Sequence, residues 1–360
     1  MSLSAKEKLR LYLRPAGRGI YTPSSGAGYA KPMQRLLYGT EAAPEVEKKW
    51  QQSLDAVENA RVVVVGVPCD TGASVMRGAN FGPLGIRHAF LKKYGRYPEG
   101  VCDVGDVFCV PQLLHDEMLS LAQIAATRAE LYPGKSDLLP VSPLSVEEAA
   151  LLTVAQINPK AKLALLGGDH SVSWPAMLWC HHLFAQKFGV VHFDAHTDLL
   201  ESRLGIKYCY ATWAFHAQAL MPPQHLVQLG IRASAKKKSH WMEKYPLQQF
   251  WASEVPFQEA SVLDRVCQHF EKLGCKHLYV SNDIDGTDIT AAPATGTPEA
   301  DGLRPEFVHH VIETLGKRFD VIGGDVVEVA PPLSGQRDFE NEKTSILGAD
   351  YLNTLFQSVL

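Results

Sequence analysis

Val191-His192-Phe193-Asp194-Ala195-His196-Thr197-Asp198 is an apolar run that ends in Asp-x-His-x-Asp. In an extended segment, side chains at i, i+2 and i+4 leave the same face, so Asp194, His196 and Asp198 form a pincer. Two other apolar runs end in a similar way. Leu163-Ala164-Leu165-Leu166 enters Gly167-Gly168-Asp169-His170-Ser171, and Leu278-Tyr279-Val280-Ser281 enters Asn282-Asp283-Ile284-Asp285. Each reads as a buried strand with an outward-facing polar tip.

Together the tips offer His170, Asp194, His196, Asp198, Asp283 and Asp285. Imidazole with several carboxylates suits a hard or borderline divalent ion such as manganese, with nickel as the alternative. Six such side chains exceed what one ion takes from protein, so two ions bridged by carboxylates are the economical reading. A single Asp-x-His-x-Asp is often only a solvated loop after a strand; three matching tips in one chain are not accounted for in that way.

The rest of the chain alternates between strand and helix patterns. Arg61 to Pro68 is a valine-rich run of the kind buried on both faces in a parallel sheet. Gly82-Pro83 opens a helical pattern, with proline where its missing N–H does no harm. Asp103 to Val107 is a weakly defined strand or turn. Helices are expected over 146–157, 172–188, 262–273, 305–315 and 344–360, and strands at 163–166, 189–193, 226–231, 277–281 and 319–323. Alternation of this kind predicts a doubly wound, mainly parallel α/β sheet over residues 56–360. Residues 1–55 mix proline and glycine with Tyr12, Tyr21, Tyr29, Leu36, Leu37 and Tyr38. They read as an N-terminal arm lying on its own domain or on a neighbouring subunit.

A formal charge of −4, with Lys236-Lys237-Lys238 the one dense basic run, argues against nucleic acid as a partner; that run reads as a solvated turn. No stretch of 18 apolar residues suggests a membrane span. Seven cysteines without a Cys-x-x-Cys pair read as buried free thiols, which suits the reducing cytoplasm.

The three tips, together with Arg77-Gly78-Ala79-Asn80-Phe81-Gly82-Pro83 and Pro293-Ala294-Thr295-Gly296-Thr297-Pro298, resemble the signatures of the ureohydrolase family, the arginase and agmatinase superfamily. The resemblance spans nearly all of residues 61–360 and implies a three-layer α/β/α domain, a homo-oligomer (trimer or hexamer) and a small guanidino substrate cleaved to urea and an amine. It also implies one ion on His170, Asp194, Asp198 and Asp283, and a second on His196, Asp194, Asp283 and Asp285. Two adjacent cations lower the pKa of bound water toward neutrality, giving a nucleophile for a carbon that resists water alone. Glu328, in Asp325-Val326-Val327-Glu328-Val329, matches the guanidinium-binding glutamate, since a carboxylate can accept two parallel N–H bonds from that planar group. Asp198 or a neighbouring carboxylate would relay the proton to the departing nitrogen.

Two departures bear on the substrate. Where many relatives have His-Gly, this chain has Tyr208-Cys209-Tyr210-Ala211-Thr212-Trp213, with Tyr210 in the histidine's place. An unperturbed phenol titrates far above neutrality, so it can position a group but is a poor proton shuttle. The asparagine with which arginase holds the α-carboxylate of arginine is also missing, because Asp198 is followed by Leu199-Leu200. Arginine is therefore disfavoured, which leaves agmatine, 4-guanidinobutyrate, other shortened guanidines and guanidine itself. Tyr208, Tyr210 and Trp213 are candidates to narrow the pocket or face a cation. A formiminoglutamate-type amidine hydrolase, needing arginines such as Arg203 or Arg232 at the pocket mouth, and a non-catalytic metal-binding relative are the alternatives.

Overall fold

The computed structural model describes residues 3–22, 27–135, 138–336 and 339–360. Nine strands form one sheet: β1 (Leu13–Arg14), β2 (Val62–Gly66), β3 (Val101–Val107), β4 (Lys162–Leu166), β5 (Phe188–Phe193), β6 (Leu226–Ile231), β7 (Gln248–Trp251), β8 (His277–Asp283) and β9 (Asp320–Val327). Their order is β1-β3-β2-β4-β9-β8-β5-β6-β7. Only the β1–β3 pair is antiparallel. Val62, Val63, Val64 and Val65 on β2 are all buried, as the unbroken valine run requires of a strand covered on both faces.

Helices cover both faces of the sheet, giving the three-layer α/β/α arrangement. One set packs in series through Lys31–Tyr38, Gly82–Tyr94, Lys343–Val359, Pro305–Arg318 and Glu259–Lys272, and the other through Ala5–Tyr12, Pro143–Ile157 and Ser173–Phe184. The sequence pattern places most of these elements within a few residues. Two differences have clear causes. The weak 103–107 segment is a full strand, Val101–Val107, whose polar residues are buried because Arg87 from the helix Gly82–Tyr94 pairs with both Asp103 and Asp106. The apolar pattern split at Gly323-Gly324 is one continuous strand, β9, in which each glycine lets a neighbouring backbone approach: a Cβ would stand 2.5 Å from the Leu163 carbonyl oxygen at Gly323 and 2.6 Å from that of Val280 at Gly324.

The N-terminal segment, apart from residues 1–2 and 23–26, which lie outside the described residues, rests on its own domain. It contributes the helices Ala5–Tyr12, Lys31–Tyr38 and Ala43–Ala56, and β1 at the sheet edge. Tyr12 and Tyr38 are buried, while Tyr29 and Leu36 remain exposed. Gly17 donates its N–H to Asp106 at 2.6 Å, and Trp50 donates Nε1–H to the Val104 carbonyl at 2.8 Å, so the segment is tied to β3 by polar bonds as well as by packing.

Trp50→Ala removes a buried ring and leaves that carbonyl without its partner. Unfolding free energy is expected to fall by about 3–5 kcal/mol, read by denaturant titration, with divalent-metal content of the folded fraction unchanged.

Candidate metal centre

The chain leaves β4, β9, β8 and β5, the middle of the sheet, at a common level. Leu166 pairs with Val326, Asp283 with Val327, and Phe193 with Asn282. β4 and β5 follow one another in the chain but are separated by β9 and β8, so the sheet order reverses its course here, where open α/β sheets form their clefts. At the end of β4 the chain passes so close to its neighbour that a Cβ on Gly168 would stand 1.8 Å from the Cys69 carbonyl oxygen. Only glycine fits there, and its own carbonyl accepts the Glu328 N–H at 2.8 Å.

Two groups of potential ligands meet at Asp194. In the first, His170 Nδ1 lies 3.2 Å from Asp194 Oδ2, 3.2 Å from Asp198 Oδ2 and 3.0 Å from Asp283 Oδ2. In the second, His196 Nδ1 lies 3.3 Å from Asp194 Oδ1 and 3.2 Å from Asp285 Oδ2. Asp194 thus turns one oxygen to each group. His170 Nδ1 is buried and makes no hydrogen bond, although three carboxylate oxygens stand close to it. Donors about 2.1 Å from an octahedral ion stand about 3 Å from one another, so these separations are those of ligand edges around a cation. The residues fit divalent metal.

The electrostatics point the same way. Burial, then Asp285 and Asp194, push the Asp283 carboxyl well above its ordinary range. Burial and Asp194 likewise raise Asp198. Burial disfavours charge on His170, yet Asp194, Asp198 and Asp283 outweigh it and hold the imidazole well above its usual value. Asp194 goes the other way: burial opposes its charge, but His192, His170 and His196 outweigh it and hold the carboxyl well below its ordinary range, the anion that both ligand groups share. Backbone amides satisfy part of the anionic set: His196 N–H donates to Asp194 Oδ1 at 2.5 Å, Ala195 N–H to Asp285 Oδ1 at 3.1 Å and Asp285 N–H to Asp283 Oδ1 at 2.9 Å.

Beneath the ligands, a row of polar residues crosses the sheet. Gln249, Gln228, His192, Ser281 and Asp325 pair in register on β7, β6, β5, β8 and β9. Gln228 Nε2 donates to the Thr197 carbonyl at 2.7 Å and its Oε1 accepts from Gln249 at 2.8 Å, which fixes the amide; the same Nε2 lies 3.0 Å from His192 Nδ1. His192 Nδ1 is therefore an acceptor, and Nε2–H donates to Asp194 Oδ2 at 2.7 Å. His192 lies close enough to the first group to be counted with it, but its proton is committed to Asp194, so it orients a ligand and is not one. On the other side, His170 Nε2 lies 3.0 Å from Ser281 Oγ, which donates to Asp325 Oδ1 at 2.9 Å. A proton on Nε2 leaves Nδ1 free for a metal.

Both Asp198 and Glu328 hold left-handed backbone angles, with φ of 52° and 61°. Such angles are uncommon outside glycine and concentrate at functional sites. Glu328 Oε1 accepts the His170 N–H at 2.9 Å, while Oε2 makes no hydrogen bond among the described residues. Burial and the nearby Asp169 raise its pKa well above that of an ordinary glutamate.

A cavity of about 490 Å³ opens beside the centre, lined by His196 and Asp198 and by Leu200, Arg203, Tyr210 and Trp241 among others. Of the three aromatics expected at a pocket, only Tyr210 lines it. Tyr208 is buried and stacks on Trp174 at 5.4 Å, and Trp213 is buried with Nε1–H donated to Asp198 Oδ2 at 2.9 Å. The chain turns into the helix Trp213–Ala217 directly after Tyr210, which carries Trp213 under the pincer instead of into the cavity. Arg203 lines the cavity, whereas Arg232 donates to the carbonyls of Gly230, Asp285, Glu299 and Ala300 and pins loops together. The sequence reading omitted His192, Gln228, Ser281 and Asp325 as functional residues. For His192 and Gln228 the one signal is a lone polar residue within an otherwise apolar buried strand.

The Arginase family model matches residues 60–357. The mitochondrial agmatinase of Gallus gallus is 32% identical over 316 residues, covering 82% of this chain and 80% of that protein. The guanidinobutyrase of Pseudomonas aeruginosa is 30% identical over 312 residues, covering 83% and 85%. Among solved structures, proclavaminate amidino hydrolase from Streptomyces clavuligerus superposes with a TM-score of 0.65 at 26% identity, over 83% of this chain and 91% of that one.

Ser281→Ala removes the hydroxyl between His170 and Asp325. Divalent-metal affinity is expected to fall by about 10–100-fold, the usual cost of losing an outer partner of a ligand histidine. Titration calorimetry with manganese checks this, and unchanged affinity refutes the orienting role.

Proposed function

The chain belongs to the Arginase family, hydrolases of carbon–nitrogen bonds in linear amidines, and on that premise we propose that it cleaves a guanidino compound to urea and an amine at a pair of divalent ions, manganese or nickel. The observation that carries this reading is the meeting of the two ligand groups at Asp194, one carboxylate oxygen facing each. His170, Asp194, Asp198 and Asp283 would hold the first ion, and His196, Asp194, Asp283 and Asp285 the second. Bound there, the ions would supply an activated water at neutral pH.

The chain's own residues do the rest. Glu328 binds the guanidinium, and the Oε2 left without a hydrogen bond is the available acceptor. Trp213 holds Asp198 by Oδ2, which leaves Oδ1 to carry a proton toward the departing nitrogen. Tyr210 acts as cavity wall, while Tyr208 and Trp213 act from behind it. Leu199 and Leu200 follow the pincer and offer nothing polar to the α-carboxylate of arginine, which favours a guanidine without an amino-acid head, such as agmatine, 4-guanidinobutyrate or guanidine. One observation also favours the formimino reading: Arg203 lines the cavity, where it can meet an acidic tail. Assay of urea and formamide across a guanidine and amidine panel separates the two.

Seven buried free thiols support the reducing cytoplasm as the compartment. We further propose that residues 1–55 form an extension to a catalytic domain of 56–360, and that the chain assembles as a trimer or hexamer.

Asp194→Asn is expected to deplete both ions, measured by elemental analysis; retention of one full equivalent contradicts the bridge. Glu328→Gln should keep its metal and lose about 2–4 kcal/mol of transition-state binding, read as kcat/KM. A near-native rate in that variant removes Glu328 from the mechanism.

A further inference from the structure

The cavity beside the metal centre carries a charge pattern that the proposed reaction does not use. Arg203 lies in the loop that follows the pincer, and Lys236, His240 and Lys244 lie in and before the helix Lys238–Lys244, after β6. All four line the same space. None of the three permanent cations among them has an ion-pair partner among the described residues, and Glu201 is the one carboxylate on the wall away from the pincer. Arg203 is held in place: Nη1 donates to the Tyr210 hydroxyl, and its guanidinium carbon lies 5.4 Å from the centre of that ring. Tyr210 therefore fixes the direction of a cation. Lys236 belongs to the basic run that reads as a solvated turn in the sequence; it stays exposed at a bend and from there lines this cavity.

On the wall away from the pincer, three cations face one carboxylate, which favours a ligand whose far end brings negative charge. The guanidinium end of a substrate is accounted for by Glu328 and the carboxylates of the centre. Asp198 of the pincer lines the same cavity as these cations, so a guanidinium held at the pincer would direct its far end along this wall.

Building on the proposed guanidine hydrolysis, we propose that the substrate is an ω-guanidino acid, whose anionic tail is received by Arg203, Lys236 and Lys244, with Tyr210 as the positioning residue for Arg203. A cationic tail of equal length faces like charge and is disfavoured.

The test uses the full-length, manganese-loaded protein and the matched pair 4-guanidinobutyrate and agmatine, which differ at the tail. The acid is expected to exceed the amine by about tenfold or more in kcat/KM, the order of one charge-assisted contact. Arg203→Gln and Lys236→Gln should each raise KM for the acid several-fold with little change in kcat, and should not raise KM for agmatine. Tyr210→Phe should shift the acid's KM in the same direction by releasing Arg203. Because the cations are exposed, added salt should narrow the preference. Equal or better use of agmatine, or loss of both substrates alike in Arg203→Gln, overturns the proposal. If neither compound yields urea, the proposed hydrolysis fails, and calorimetry with 4-aminobutyrate and 1,4-diaminobutane then decides the tail separately. Binding of the acid alone, abolished by Arg203→Gln, upholds the anionic subsite; preference for the diamine, parity or no binding rejects it.

Discussion

Negative charge gathered out of water at the ends of three neighbouring strands, β5, β8 and β9, is the constraint around which this molecule is built. Asp194, Asp198, Asp283, Asp285 and Glu328 are all buried, and removing such groups from water costs several kcal/mol each after relaxation. Part of that cost is offset by the turns themselves. Where the strands stop, the amides of His170, Ala195, His196 and Asp285 are released from the sheet ladder and donate to these carboxylates. The remaining lone pairs need cations. The close approach at Gly168 and the left-handed backbone at Asp198 and Glu328 are the local costs of crowding the anions onto one spot.

The polar row from Gln249 to Asp325 explains how ligands at strand tips are held rigidly. A parallel sheet aligns its residues in cross-strand rows, and here one row across β7, β6, β5, β8 and β9 is polar. Trp251 Nε1–H donates to Gln249, Gln249 to Gln228, and Gln228 to both His192 and the carbonyl of Thr197. The row ends with Asp325 accepting from Ser281 and from Ser173. Within each half of the row a bond sets the proton position of the next, so the tautomer of His192 follows from Gln228 and Gln249, and that of His170 from Ser281 and Asp325. Only the row's register makes that possible.

This division accounts for what was legible in the sequence. Asp194, His196 and Asp198 are readable because strand geometry imposes a period of two, and the βα alternation is readable because buried parallel strands are unbroken apolar runs. The row was not, because its register depends on which strands are neighbours, and β8 and β9, which enter between β4 and β5, come from residues 277–283 and 320–327, far along the chain. Tyr208 and Trp213 show the same limit at shorter range. Nothing in their spacing tells that Trp213 turns beneath Asp198 while Tyr210 stays in the cavity. The arm's three helices were obscured by proline and glycine, which here cap and open helices: Pro32 and Pro44 lie in the first turns, and Gly39 ends one with φ of 67°.

The loop from Leu199 to Thr212 joins two functions that the strands keep apart. At its start Asp198 leaves the pincer with a strained angle, and at its end Trp213 returns to bond the same carboxylate. Between them, Arg203 and Tyr210 set the charge of the cavity wall. A change within this loop therefore acts on the metal centre and on substrate choice through one short stretch of chain. The sheet and its polar row depend on neither. That arrangement lets the chemistry at the strand tips persist while the cavity beside it changes its charge, since loops on a rigid scaffold can vary without disturbing the strands that carry the ligands.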